Sequence, residues 1–286
     1  MFGIYCSNTL ILILFEQNMN REQKFVAYVL DVPKVEFNNF KWGLLASMAF
    51  KPKELPIVEH ILIDIGLKNA KSDDFYPKKL NKYVEFIHSV LDVYCCNHVQ
   101  VVTPDKLCNF EETVRRYEHF QKIAEREFGD TIKLMFVAQE FMRRDVFSRL
   151  DTLSRDYEIV ALPSKVMCRM RNELIYCSEH YQLCASYLSV VLDRYGYVAH
   201  KIHLLGPSLK VLKALGVNNV LRFRSLDTMS YRRAPNVVAK KIAFGEGDKR
   251  WQVTTSDVAK LWAILWFASS GLITKGEMSA LGIKYA

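Results

Sequence analysis

The sequence is poor in residues that punctuate or staple a chain. Its 286 residues include 12 Gly and 8 Pro, and no Gly/Ser-rich linker, low-complexity tract or internal repeat marks a domain border. The seven cysteines, Cys6, Cys95, Cys96, Cys108, Cys168, Cys177 and Cys184, lack the paired spacing of a structural zinc site or a dithiol redox motif. Most lie in apolar runs, where a reduced thiol acts as a small hydrophobe. A reducing, cytoplasmic setting is therefore expected. Leu10 to Phe15 has no basic leader or small-residue cleavage site and is far shorter than the ~20 residues that span a bilayer. Leu261 to Ile273 also falls short and reads as a buried C-terminal helix. Neither an export signal nor a membrane span is expected, and Met19 is an alternative initiator. Phosphate-loop, dinucleotide-binding and nucleophile-elbow patterns are all missing, which argues against nucleoside-triphosphate, dinucleotide and serine-hydrolase chemistry.

What is plentiful is apolar side chain. At 50% hydrophobic and 24% charged residues, the chain has too much of it for intrinsic disorder. Its length suits two average domains or one barrel of roughly 250 residues with a small appendage. With 39 Lys and Arg against 31 Asp and Glu, the net charge is +8. That sign favours a polyanionic partner through counterion release; a solvated Lys-rich surface is the alternative.

Short apolar runs alternate with longer amphipathic patterns. The runs are Trp42–Ala46, Ile61–Ile63, Val99–Val102, Ile132–Val137, Glu158–Leu162, Lys201–Leu205 and Asn219–Phe223. Helical spacing covers Pro77–Leu91, Phe110–Phe128, Asp145–Tyr157, Glu179–Tyr195 and Pro207–Leu215, the last closed by Gly216. This alternation predicts an α/β fold with a parallel sheet wrapped by helices. Phe25 to Val32 suits either an eighth strand or a cap on a barrel floor.

Polar residues then fall at the ends of the predicted strands: Asp64 after Ile61–Ile63, Asp105 after Val101-Val102-Thr103-Pro104, Gln139 after Met135–Ala138, and Asp227 after Leu221–Leu226. In a parallel barrel all strand C-termini share the face that carries active sites, so the four would converge. An open parallel sheet would gather them along its carboxyl edge, and helix capping is the alternative role for each Asp. His200 and His203, three apart at a predicted strand, point to opposite faces and read as structural or backbone-bonded. His98, beside Cys95 and Cys96, lacks a second ligand cluster at zinc-site spacing.

Converging carboxylates suit acid–base or covalent work at an acetal-like carbon. One attacks the anomeric carbon as a base departs and a second moves the proton. A further Asp and a Gln supply what a purine-reading site needs, since a carboxylate accepts from ring N–H groups while an amide both donates and accepts.

On five motifs in order, the stretch from about Trp42 to Asn236 resembles the tRNA-guanine transglycosylase superfamily, and in particular its 7-deazaguanine DNA transglycosylase branch. The motifs are Ile61-Leu62-Ile63-Asp64-Ile65-Gly66, Val101-Val102-Thr103-Pro104-Asp105, Phe136-Val137-Ala138-Gln139, His203-Leu204-Leu205-Gly206, and Ser225-Leu226-Asp227 with Ser230-Tyr231-Arg232-Arg233-Ala234. The resemblance implies a (β/α)8 TIM barrel over residues 41–245, preceded by an N-terminal extension or barrel entry (1–40) and followed by a C-terminal helical segment (246–286) that packs on the barrel. It also implies base exchange, in which guanine in DNA, or else tRNA, is replaced by a 7-deazaguanine such as preQ0 through a covalent Asp–sugar intermediate.

Carried over by position, Asp227 is the nucleophile and Asp64 the general acid/base. Asp105, Gln139 and Gly206 bind the base, and Arg232 and Arg233 are placed to contact phosphates. Three departures stand out: Ile65 where the family has Ser, Leu67-Lys68 where a small residue and an aromatic are usual, and Leu162-Pro163-Ser164 in place of a Gly-Gly pair. The zinc-binding Cys/His motif of the tRNA enzymes is absent from Asp248 to Ala286, so no metal or other cofactor is expected and DNA is preferred to tRNA. The altered segments leave open a catalytically degenerate barrel that binds nucleic acid or a partner subunit. A glycosidase or nucleoside hydrolase using the same carboxylates with water remains a third reading.

Overall fold

Eight short strands close into a ring in the computed structural model, which describes residues 24–48, 58–65, 76, 79–94, 98–164, 166–170, 173–176, 181–228 and 256–282. They are β1 (Phe25–Val29), β2 (Phe40–Ser47), β3 (His60–Asp64), β4 (His98–Val102), β5 (Lys133–Val137), β6 (Ile159–Pro163), β9 (Ile202–Leu205) and β10 (Ser225–Asp227). All neighbouring pairs run parallel, in the order β1-β10-β9-β6-β5-β4-β3-β2 with β2 returning to β1. The expected (β/α) barrel is thus the observed architecture. Phe25–Val29 is one of its staves, so of the two roles that Phe25 to Val32 suited, the eighth strand is the one it takes.

Side-chain alternation along the strands sorts the apolar residues into two layers. Val26, Tyr28, Leu45, Leu62, Val102, Met135, Val137, Ile159 and Ala161 fill the lumen. Their sequence neighbours, such as Ala27, Val29, Leu44, Ala46, Ile61 and Ile63, belong to the outer core beneath the helices. The barrel is therefore packed, as such barrels are. Gly43 is required there, because a Cβ would lie 2.4 Å from the Tyr28 ring, which crosses the lumen at that level.

The helices follow the predicted spacing where their apolar faces are continuous. In α1 (Leu80–Leu91), Leu80, Tyr83, Phe86, Ile87 and Val90 are buried. In α2 (Phe110–Phe128), Phe110, Thr113, Tyr117, Phe120, Ala124 and Phe128 are buried, and the Asn109 side chain caps the start by accepting from the Glu112 N–H at 2.9 Å. The helix predicted over Asp145–Tyr157 is instead two pieces, α3 (Arg144–Phe147) and α4 (Leu150–Asp156). Arg149 N–H turns back to the Val146 carbonyl at 3.0 Å, a tightened bond that ends the first piece.

After α5 (Tyr181–Tyr195) and α6 (Leu209–Leu215), the strand expected over Asn219–Phe223 is not formed. Gly216, at φ +83°, ends α6 and the chain re-enters a short helix, α7 (Val217–Val220), so the eighth barrel strand falls at Ser225–Asp227. An antiparallel hairpin absent from the expectations, β7 (Val166–Met170) with β8 (Glu173–Tyr176), follows β6. The expected C-terminal helix is α8 (Ser256–Ser270), ahead of α9 (Lys275–Ala280). α8 docks outside the barrel: Phe267 stacks on Phe40 at 5.5 Å and meets Trp42 edge-on at 5.0 Å. Burying a ring of this size stabilises by roughly 1.5–3 kcal/mol. No helix among the described residues is long and apolar enough to cross a membrane.

Candidate active site at the carboxyl mouth of the barrel

Asp227 is the last residue of β10. Leu226 belongs to the outer core, so alternation turns Ser225 and Asp227 inward. Asp227 is 8% exposed, and its Oδ1 accepts two hydrogen bonds, from Gly206 N–H at 2.8 Å and from His203 Nε2 at 3.0 Å. Oδ2 has no partner among the described residues. Gly206 follows β9 at φ +61°, a left-handed conformation natural only to glycine, and this turn aims its N–H at the carboxylate. That amide is held by Asp227.

His203 has a structural place, as expected, but side chains and not backbone hold it. It is fully buried and side-chain-bonded: Nδ1 lies 2.9 Å from Ser225 Oγ while Nε2 meets Asp227. The neutral tautomer with a proton on Nε2 satisfies both contacts, donating to the carboxylate and accepting from the hydroxyl. His203 and Ser225 are register partners across β9 and β10. The available sequence signal was this adjacency plus the two-residue step from Ser225 to Asp227.

Asp105 and Gln139 meet directly. Gln139, 2% exposed, donates from Nε2 to Asp105 Oδ2 at 2.5 Å and accepts the Cys108 N–H at Oε1, 3.2 Å away. Burial pushes the Asp105 carboxyl above the usual carboxylate range, and the Gln139 hydrogen bond and the Arg116 guanidinium oppose that rise. Arg116 also donates to the Asp105 carbonyl at 2.9 Å. Cys108 (φ +51°) and Glu140 (φ +57°), the two non-glycine residues with left-handed backbone among those described, flank this pair. Such strain costs of order 1–3 kcal/mol and gathers at functional sites. Arg143 secures the second of these turns, reaching Glu140 at 3.1 Å, Glu111 at 2.8 Å and Asp145 at 2.7 Å.

Asp64 closes β3 on the inward face shared with Leu62, at the same barrel end as Asp227. Tyr83 links it to the other group. Its buried hydroxyl lies 2.8 Å from the Val102 carbonyl and 3.2 Å from the Ile63 carbonyl, bridging the ends of β4 and β3. Burial, then the nearby charges of Asp64 and Asp105, hold this phenol well above its ordinary pKa. Tyr83, Arg116 and His203 are the site residues that strand-end inspection missed. The first two come from helices, and nothing in the local sequence ties them to the mouth.

Where the resembled family has Gly-Gly, Ser164 is fully buried, and its N–H and Oγ donate to the Leu205 carbonyl at 3.1 and 2.9 Å. Ile65 is buried. Gly66, Leu67, Lys68, Arg232 and Arg233 lie outside the described residues. Among those described, no group of three His, Cys, Asp or Glu side chains is placed to hold a metal ion, and Cys184 is buried.

The structure thus gathers the four strand-end residues at one mouth in two sets, Asp227 with His203 and Gly206, and Asp105 with Gln139, with Asp64 beside Tyr83. A fixed carboxylate with one unengaged oxygen, near further acidic groups, suits attack on an electrophilic carbon coupled to proton movement. Compared with protein-family models and with curated proteins, the chain has no significant match.

Proposed function

We propose that this protein is a nucleic-acid base-exchange transglycosylase that replaces guanine with a 7-deazaguanine, in DNA before tRNA. The observation that carries the reading is the seat of Asp227, with Oδ1 clamped by Gly206 and His203 and Oδ2 unengaged at the strand ends that also bear Asp64, Asp105 and Gln139. Asp227 Oδ2 attacks C1′ of the target nucleotide, and the C1′–N bond breaks with its electron pair leaving on guanine. Asp64 delivers a proton to the departing purine. The incoming base then gives a proton to the Asp64 carboxylate, its nitrogen attacks C1′, and the Asp227 ester bond breaks. Asp105, held by Gln139, accepts from the purine N–H groups. Reaching C1′ requires an extruded or single-stranded nucleotide, and the net charge of +8 favours that substrate class.

The test is incubation with guanine-labelled DNA and tRNA, with and without preQ0, followed by measurement of released guanine. Base-dependent release from DNA supports the proposal. Salt-sensitive binding without release supports the second reading, a barrel that holds nucleic acid without exchange. That reading is favoured by the buried, hydrogen-bonded Ser164 where the family carries Gly-Gly.

A further inference from the structure

The opposite end of the barrel carries a second concave site. A cavity of about 360 Å³ opens at the amino-terminal mouth, walled by Lys24 before β1, Lys41 on β2, Lys133 at the start of β5 and Arg224 before β10. Among the described residues, Glu158 is the one carboxylate that lines it. Lys133 pairs with Glu158, and Lys41 pairs at 2.6 Å with Glu59 on the rim. Lys41 and Lys133 are each matched by one glutamate, and Lys24 and Arg224 add further positive charge to the same wall.

His60 and His98, the first residues of β3 and β4, form part of the same wall, stacked with ring centroids 4.8 Å apart. Burial first, then His98 and Lys41, lowers the His60 pKa to about 4, so this imidazole is neutral near pH 7. It is thus available as a hydrogen-bond donor.

At the inner end lies Gln100, a polar side chain 3% exposed next to the apolar side chains that fill this level of the lumen. Its Oε1 is buried with no hydrogen-bond partner in the described structure. Buried amides are nearly always satisfied, and an orphan next to a cavity marks a missing partner. The cations call for oxyanion oxygens, and the Gln100 carbonyl calls for a hydroxyl. A phosphate group that carries or adjoins a hydroxyl supplies both.

We infer that the amino-terminal mouth binds a small phosphate-bearing ligand, its oxygens on Lys24, Lys41, Lys133 and Arg224 and its hydroxyl on Gln100. This site is separate from the carboxyl mouth, and the inference does not rest on base exchange. Free phosphate and a phosphorylated sugar share the chemistry.

The test titrates the full chain with inorganic phosphate and, separately, ribose 5-phosphate at constant ionic strength, followed by calorimetry and by the imidazole NMR signals of His60 and His98. Saturable binding that moves both imidazoles is expected, with at least tenfold weaker affinity in the Lys41→Gln/Lys133→Gln double variant and weaker binding in Gln100→Leu. The two lysines are about half exposed and paired with exposed glutamates, so the double variant keeps the core, which its thermal midpoint checks. Tighter binding of the sugar phosphate identifies a phosphorylated metabolite, and equal binding identifies phosphate itself. No binding at millimolar ligand, unmoved imidazoles, or unchanged affinity in the double variant would overturn the inference.

Discussion

His203 Nε2 lies 3.0 Å from Asp227 Oδ1, on the same oxygen that Gly206 N–H holds at 2.8 Å. Both donors thus fix one oxygen and orient the other. Asp227→Asn keeps an acceptor for both bonds but removes the anionic nucleophile, so guanine release is expected to fall by at least ~10³-fold, with no covalent adduct on a denaturing gel. Asp64→Asn is expected to slow turnover ~10²–10⁴-fold. A wild-type rate from the Asp227 variant would remove the mechanism.

Asp105 makes stability depend on pH in a defined direction. Burial raises its folded-state pKa above the ordinary carboxylate value, so the folded protein holds this proton more tightly than the unfolded chain. Its ionisation therefore costs stability as pH rises through the interval from the unfolded to the folded value, and the full cost persists at neutral pH. Asp105→Asn is expected to raise the urea midpoint at pH 7, with the gain disappearing below about pH 3.8, while base exchange is lost. An equal effect at both pH values would contradict this assignment.

Gly206→Ala places a Cβ on a residue at φ +61°. Left-handed backbone costs a non-glycine residue about 1–2 kcal/mol, and relaxing it tilts the N–H away from Asp227. Chemical denaturation should show that loss. Turnover should drop by up to ~10²-fold, the scale of a 1 Å misplacement at a reacting group.

Gly43→Ala tests the packing of the lumen apart from any chemistry. The new methyl would lie 2.4 Å from the Tyr28 ring, and overpacking of this kind typically costs 1–3 kcal/mol. A lower thermal midpoint is expected, partly restored by Tyr28→Leu in the same chain.

Strand periodicity made the barrel legible because six of the seven expected apolar runs are its staves, with Phe25–Val29, which suited either a strand or a cap, beside them. Ser225-Leu226-Asp227 escaped that reading, since three residues are too few to show a period, and the apolar Val220-Leu221 just before it belongs to a helix end and turn. Asp64, Asp105, Gln139 and Asp227 were visible as polar side chains that stop apolar runs. The supports were not: Tyr83 and Arg116 face the mouth from α1 and α2, and their helical spacing is equally that of ordinary core positions. His203 was read by its offset from His200, although His200 lies in a 3₁₀ turn rather than on the strand.

Val26, Ala27 and Tyr28 of β1 pair with Ser225, Leu226 and Asp227 of β10, and this is the join that shuts the ring. Some two hundred residues separate the partners, so the seam is the last to become available as the polypeptide leaves the ribosome. A chain cut short of this final stave lacks Asp227 and leaves one edge of β1 with no strand to pair with, so the ring stays open.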